Sequence, residues 1–285
     1  MDILKNHPCF NQCSATAKGR LHLPVAPRCD IFCQFCSRAL STDVERPGQT
    51  ARILSPEEAL DVFDLALTLC PEIQVVGVAG PGDPLSGPEA LDTLIKIKEI
   101  NPQIIACLAT NGLNLAKSMD RILEAGVKTL TVTVNSLDPN ILAALNLGVK
   151  INGVFIGGVE GAKILIAAQN EGIRKAKENG LFIKINTVLV PGINDGEMEN
   201  LAKAASEWGA VLLNIIPLIP ANNLASWPAP TAEEIALVTN LAAQHVPVKR
   251  DCRRCRADAC GIPGGVDYAK TIYGDLKPQE TFSHG

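Results

Sequence analysis

Leu21-His-Leu-Pro-Val-Ala-Pro27-Arg-Cys29-Asp-Ile-Phe-Cys33-Gln-Phe-Cys36 is a short apolar run that stops at proline and passes into a loop holding three thiols. The run over 21–27 predicts a strand, and 28–53 reads as loop. The same unit recurs downstream: an apolar strand, a polar or Gly-rich turn, then a helix. Residues 73–79 end in Gly80-Pro-Gly-Asp-Pro84, and 103–109 end in Thr110-Asn-Gly112. Further strands are predicted over 127–134, 181–190 and 210–216. Helices are predicted from Ser55 to about Cys70 and over 88–100, 115–124, 160–179, 197–208 and 231–245. The first of these opens on Ser55-Pro-Glu-Glu58, with a capping serine, proline at the first helical position and a glutamate two residues later. The stretch before 160 reads as a Gly-rich loop. Six alternations with apolar strands imply an α/β fold, a parallel sheet covered by helices. Crossovers of one hand curl such a sheet into a partial or closed TIM-like (βα) barrel. A flat doubly wound sheet is the other option, but no Gly-rich phosphate turn follows the first strand. In a barrel, chemistry sits at the carboxyl ends of the strands, and every conspicuous motif here follows a strand. The expected organisation is one domain over 1–285: an arm over 1–20, a barrel over 21–245 and a tail over 246–285.

Composition narrows the function classes. The net charge is −4 and no Lys/Arg stripe appears, which argues against a nucleic-acid partner. Aromatic residues are 4%, too few for a base-stacking surface. No apolar run reaches the roughly 18–20 residues that cross a bilayer, and Met1-Asp-Ile-Leu-Lys5 lacks a signal-peptide core, so a cytoplasmic protein is expected. Ten cysteines are present, mostly in clusters. In a cytoplasmic chain, clustered thiols point to metal ligation rather than disulfides.

Cys29, Cys33 and Cys36 can hold three corners of a [4Fe–4S] cubane, leaving the fourth iron bare. A bare iron can be chelated by the amino and carboxylate groups of S-adenosylmethionine (SAM), whose sulfonium is then cleaved by one electron to release a 5′-deoxyadenosyl radical. A zinc loop would call for four protein ligands. The Cys-x3-Cys-x2-Cys spacing after a first strand resembles the radical SAM superfamily motif. Gly80-Pro-Gly82-Asp83-Pro84 resembles that superfamily's Gly-Gly-Glu-Pro loop, with Gly82 and Asp83 placed to bind the SAM ammonium. Thr110, Asn135 and Asn186 end strands three to five and are candidate contacts to the rest of SAM. Cys252, Cys255 and Cys260 are interleaved with Arg253, Arg254 and Arg256, whose guanidiniums would offset the charge of a second cluster. His7, Cys9 and Cys13 on the arm, with Cys107 on strand three, are candidates for a third. His22 is a rival nitrogen ligand, and Cys70 reads as core.

Taken together, His7-Pro-Cys-Phe10, Leu23-Pro-Val-Ala-Pro27 with its cysteine loop, Glu45-Arg-Pro-Gly48, Ala79-Gly-Pro-Gly-Asp-Pro84, Thr110-Asn-Gly112, Pro191-Gly-Ile-Asn-Asp195 and Cys252-Arg-Arg-Cys255-Arg-Ala-Asp258 resemble the NifB family of nitrogenase cofactor biosynthesis over residues 6 to 262. The chain resembles the short form of that family, without the extra C-terminal cofactor-carrying domain. The resemblance implies a lyase-type radical SAM enzyme that fuses two further [4Fe–4S] clusters, a SAM-derived carbide and an added sulfur into an eight-iron core. It also implies iron–sulfur cluster donors, an electron donor such as ferredoxin and a downstream scaffold or carrier protein. One departure stands out. The family usually has another cysteine soon after the SAM-cluster motif, and Ser37-Arg-Ala-Leu-Ser-Thr-Asp43 has none. Cys260 is an extra thiol, expected to replace it beside Cys252 and Cys255. The competing readings are another radical SAM maturase with auxiliary clusters and a non-enzymatic iron–sulfur scaffold.

Overall fold

Local chemistry sets the helix starts. Ser55 accepts from the Glu58 backbone N–H while the Glu58 carboxylate accepts from the Ser55 N–H, and Thr231 and Glu234 repeat the arrangement. Asp138 caps a helix that begins at Pro139 by accepting from Asn140 and Ile141 N–H. Apolar spacing then turns each helix onto the sheet: Ala59, Phe63 and Ala66 form one buried stripe.

The computed structural model describes residues 3–10, 18–37, 39–42, 44–250, 252 and 255–274. Its elements in chain order are α1 (Ile3–Asn6), β1 (Gly19–His22), β2 (Ile31–Cys33), α2 (Pro56–Leu69), β3 (Ile73–Val78), α3 (Glu89–Ile100), β4 (Ile105–Thr110), α4 (Met119–Glu124), β5 (Val127–Thr133) and α5 (Pro139–Leu145). Then come β6 (Asn146–Ile151), β7 (Val154–Gly157), α6 (Gly158–Glu178), β8 (Phe182–Leu189), α7 (Met198–Glu207), β9 (Leu212–Pro217), α8 (Ala232–Ala242), β10 (Cys260–Gly261) and α9 (Ala269–Tyr273).

The main sheet runs β10-β1-β3-β4-β5-β8-β9. Six strands are parallel and follow chain order, and β10 adds an antiparallel pair at the β1 edge. β1 and β9 are not paired, so the barrel is partial rather than closed. Flat, the two would lie roughly 24 Å apart at the usual strand spacing. Instead His22 of β1 and Asn214 of β9 line one cavity, so the sheet curls. The outward residues of each strand, such as Val76, Leu108, Leu130, Ile183 and Leu213, pack under the helices in one core.

The predicted strands and helices are present with ends moved by a few residues. The Gly-rich loop before 160 is a correction. It holds α5 and a β6–β7 hairpin, which pairs with β2 in a second, three-stranded sheet. Asn152-Gly153 makes the two-residue turn, both at positive φ (50° and 82°), which is the local signal for a hairpin.

Replacing Ser55 with alanine removes one half of the α2 capping box. Loss of about 1 kcal/mol is expected, a fall of roughly 2–4 °C in the thermal midpoint of a chain this size, measured by calorimetry.

Candidate active site

Two spaces meet at the carboxyl ends of the parallel strands. The outer is a cleft of about 300 Å³ lined by Cys29, Cys33 and Cys36 on one side and by Gly82, Asp83, Thr110, Asn135 and Asn186 on the other. The inner is a cavity of about 180 Å³ in the barrel lumen, lined by His7, Cys9, His22, Cys107, Cys252 and Cys255. Pro47, Ala79, Ala109, Asn186, Ile216 and Cys255 belong to both walls, so the two spaces adjoin.

Two glycine approaches build the cleft. A Cβ on Gly82 would lie 2.1 Å from Arg28 O, and the Gly82 N–H donates to Ala26 O at 2.8 Å. A Cβ on Gly80 would lie 2.9 Å from Gly48 Cα, so the Gly-Pro-Gly-Asp-Pro and Glu-Arg-Pro-Gly turns touch backbone to backbone. Near the thiols, Asn111 Nδ2 donates to Cys29 Sγ at 3.8 Å. The lumen is lined by alternate residues of the strands: His22, Gly77, Cys107, Thr131, Lys184 and Asn214. Helix α1 and the turn after it bring His7 and Cys9 to this space, with Phe10 buried beneath Lys184, whose Nζ is 5.0 Å from the ring centre.

The electrostatics of the lumen are unusual. Burial pushes Cys107 up to about 11 and raises Cys9 and Cys252, while Lys184 pulls all three back. Burial, and then Arg20, lowers His22 to about 4. Cationic Lys184 and Lys249 share the wall with these thiols. Iron binding deprotonates a thiol outright, and the cations then face anionic ligands. His7 Nε2, Asn214 Oδ1 and, in the cleft, Asn146 Nδ2 are buried without a hydrogen-bond partner among the described residues. Among those residues no three His, Cys, Asp or Glu side chains converge as one metal ion would need. The donor set of soft thiols around two joined spaces fits iron–sulfur clusters.

Residues 23–205 match the radical SAM superfamily. The FeMo cofactor biosynthesis protein NifB of Methanocaldococcus infernus is 45% identical over 262 residues, covering 91% of this chain and 86% of the relative. The chain belongs to the NifB family. The NifB of Klebsiella pneumoniae is 40% identical over 266 residues, 90% of this chain and 57% of that relative. In fold, the chain is similar to a radical SAM methyltransferase from Sphaerobacter thermophilus, with a TM-score of 0.55 and 18% identity over 86% of this chain and 68% of that one. It is also similar to methylornithine synthase, with a TM-score of 0.54 and 15% identity over 80% of this chain and 63% of that one. Superfamily membership implies a [4Fe–4S] cluster and SAM. No helix among the described residues is long and apolar enough to cross a membrane.

In this NifB-family chain, the fold redirects several expected site residues. Asp83 lines the cleft, but its carboxylate already accepts from Leu85 N–H (2.9 Å), Asn111 N–H (2.6 Å) and the Thr110 hydroxyl (3.0 Å). It ties the loop after β3 to the loop after β4. Cys260 is a correction: β10 carries it into the apolar core with Cys70, fully buried and away from both cavities. Arg256 turns to Asp258, Ser41 O and Val44 O rather than to a thiol. Cys13, Arg253 and Arg254 lie outside the described residues. Among the described residues, Arg20 meets a tail thiol: its Nη2 donates to Cys255 Sγ at 3.3 Å. Sequence reasoning missed Arg20, Lys184, Asn214 and Lys249. The signal for Lys184 was a polar residue at the inward parity of an apolar strand.

Two outcomes follow. Cys260→Ala should leave iron content unchanged and cost about 1 kcal/mol of core packing; loss of about four irons would return Cys260 to the ligand set. Burial raises the Asp83 carboxyl to about 6, above its ordinary value, so its contribution to stability is full below about pH 4 and is lost as pH rises through 6. Asp83→Asn should remove that segment from the curve of unfolding free energy against pH.

Proposed function

We propose that this chain binds the SAM-cleaving [4Fe–4S] cluster through Cys29, Cys33 and Cys36 and fuses two further [4Fe–4S] units, held in the lumen as substrates, into one eight-iron core. One SAM donates a methyl group, the 5′-deoxyadenosyl radical from a second removes one hydrogen atom from it to leave 5′-deoxyadenosine, and the other two hydrogens leave as protons. The carbon ends as a central carbide, a ninth sulfur is added, and the product is the precursor of the iron–molybdenum cofactor. The observation that carries this reading is that cleft and lumen adjoin, with Ala79, Ala109, Asn186 and Cys255 in both walls. A reactive group released in the cleft therefore starts next to the lumen.

When bound, the cluster in the cleft supplies the electron that cleaves SAM. The chain's own residues then do the rest. Gly82 lets the loop after β3 close onto the Arg28 backbone and form the SAM-facing wall, where Thr110, Asn135 and Asn186 offer polar groups. Asp83 positions the loops that form it. Cys9, Cys107, Cys252 and Cys255, with His7 or His22, hold the substrate clusters. Lys184, Lys249 and Arg20 offset their negative charge. A one-electron donor such as ferredoxin, cluster donors and a carrier for the product complete the set of partners.

Anaerobic iron quantification with EPR, with and without SAM, tests this. About twelve irons are expected for three cubanes. Cys29→Ala should lose about four irons and all 5′-deoxyadenosine formation under dithionite, whereas Cys107→Ala should lose lumen iron and keep SAM cleavage. Continued 5′-deoxyadenosine formation by Cys29→Ala would sink the proposal, and no SAM cleavage by the intact protein would leave a scaffold.

A further inference from the structure

Arg20 is a buried arginine inside a cysteine-lined barrel, and among the described residues no carboxylate is within hydrogen-bond distance of it. It is 4% exposed on β1. Its Nη1 donates to Gly261 O at 2.7 Å, and its Nη2 donates to Cys255 Sγ at 3.3 Å. Among the described residues its carboxylate neighbour is Asp267, whose Oδ2 stands 3.8 Å from Nη2 on a half-exposed side chain. Its Nε is buried with no partner among the described residues. The β1–β10 register pairs Arg20 with Gly261, so strand pairing fixes both ends of the Arg20–Gly261 bond. The guanidinium is therefore aimed at one sulfur by the fold rather than by a flexible loop.

We propose that Arg20 raises the reduction potential of the substrate cluster held by Cys255, so that this cluster takes up an electron more readily than its thiolate ligands alone would allow. The inference rests on the reading that Cys255 is a cluster ligand. One electron from an external one-electron donor makes the cluster more negative by one charge; no bond forms or breaks. A cationic N–H on a ligand sulfur stabilises that added charge, and hydrogen bonds to the sulfurs are a recognised control on such potentials. Two features magnify the effect here. The donor is charged, which makes its bond about twice as strong as a neutral one. The site is also desolvated, so the interaction is weakly screened. The cleft differs: the amide of Asn111 faces Cys29 Sγ from 3.8 Å and carries no charge.

The test is an equilibrium redox titration of the fully loaded protein, followed by EPR, on wild type and two variants. In Arg20→Gln the reduced-to-oxidised ratio of the lumen signal at a fixed potential should fall about tenfold, which is about 59 mV for a one-electron couple. The signal of the Cys29, Cys33 and Cys36 cluster should not move, a contrast that a general loss of stability would not produce. Asp267→Asn removes the competing charge from a half-exposed position and should shift the lumen signal upward, about twofold in the same ratio. A full iron load with an unmoved midpoint in Arg20→Gln overturns the proposal. If Arg20→Gln loses iron or fails to fold, Asp267→Asn decides, and an unchanged or lowered midpoint there overturns it. Cys255→Ala separates the two levels: if it keeps all lumen iron, the ligand reading itself fails, whatever the Arg20 variant does.

Discussion

An open arc of six parallel strands leaves two edges, β1 and β9, each with backbone groups that need partners. The segment after α8 answers both. At β9, Leu213 N–H donates to Pro247 O and Lys249 N–H donates to Leu213 O, each at 2.8 Å. At β1, Cys260 and Gly261 pair with Leu21 and Arg20. The chain between these two anchors has to cross the seam of the barrel, and it carries Cys252 and Cys255 there. Their place on the lumen wall follows from closing the edges, with no separate device needed to deliver them. Once across, the segment is held by Ala257 N–H on Gln49 O (2.7 Å) and by Asp258 on the Thr50 hydroxyl (2.9 Å).

The lumen is the second consequence of that architecture. Outward positions of the strands are large and apolar, while inward ones are small or polar, with Gly77, Ala79 and Ala109 leaving space. A Cβ on Gly77 would lie 3.4 Å from Cys107 Cβ, in the space beside His22. Burying Lys184 and Arg20 costs free energy that an empty apolar lumen would not repay. Thiols pushed up by burial cost little while protonated, and under the proposed function they are the counter-charges that ionise against a bound cluster. Cations and thiols therefore make energetic sense together and poor sense apart.

Much of this was legible in the chain itself. Strand order and handedness followed from the alternation of apolar runs and capped helices, since each unit announced itself locally: Ser55 to Glu58 for α2, and Thr110-Asn-Gly112 after β4. The cysteine loop was legible because its spacing is short-range. What stayed hidden depends on pairing across the chain. Whether Cys260 faces the lumen or the core is set by its antiparallel register with Leu21, 239 residues apart in sequence. That Arg20 rather than Arg256 meets a tail thiol depends on the same register. The β6–β7 hairpin was overlooked for a different reason: glycines at 148, 153, 157 and 158 dilute its pattern, although Asn152-Gly153 marks the turn.

Polar side chains at the rim tie its loops together. Asp83 joins the loops after β3 and β4. Gln169 on α6 donates to Asn111 O (2.7 Å) and Thr133 O (3.0 Å), joining the loops after β4 and β5. Asn194, from the Pro-Gly-Ile-Asn-Asp turn, donates to Asn135 O and Val188 O at 2.8 Å, joining β5 to β8. Three neighbouring pairs of rim loops are thus clamped by one polar side chain each, which holds that part of the cleft wall in shape before any substrate arrives. The cysteine loop is held differently. Its Phe32 N–H donates to Asn146 of the hairpin at 2.8 Å, and the stretch after it is pinned by Arg256, Ala257 and Asp258 of the tail. The loop that carries Cys29, Cys33 and Cys36 and the tail that carries Cys252 and Cys255 therefore order each other. A chain that loses the tail's grip on the β1 edge loosens both thiol sets at once, which couples the loading of the cleft to the loading of the lumen through the seam.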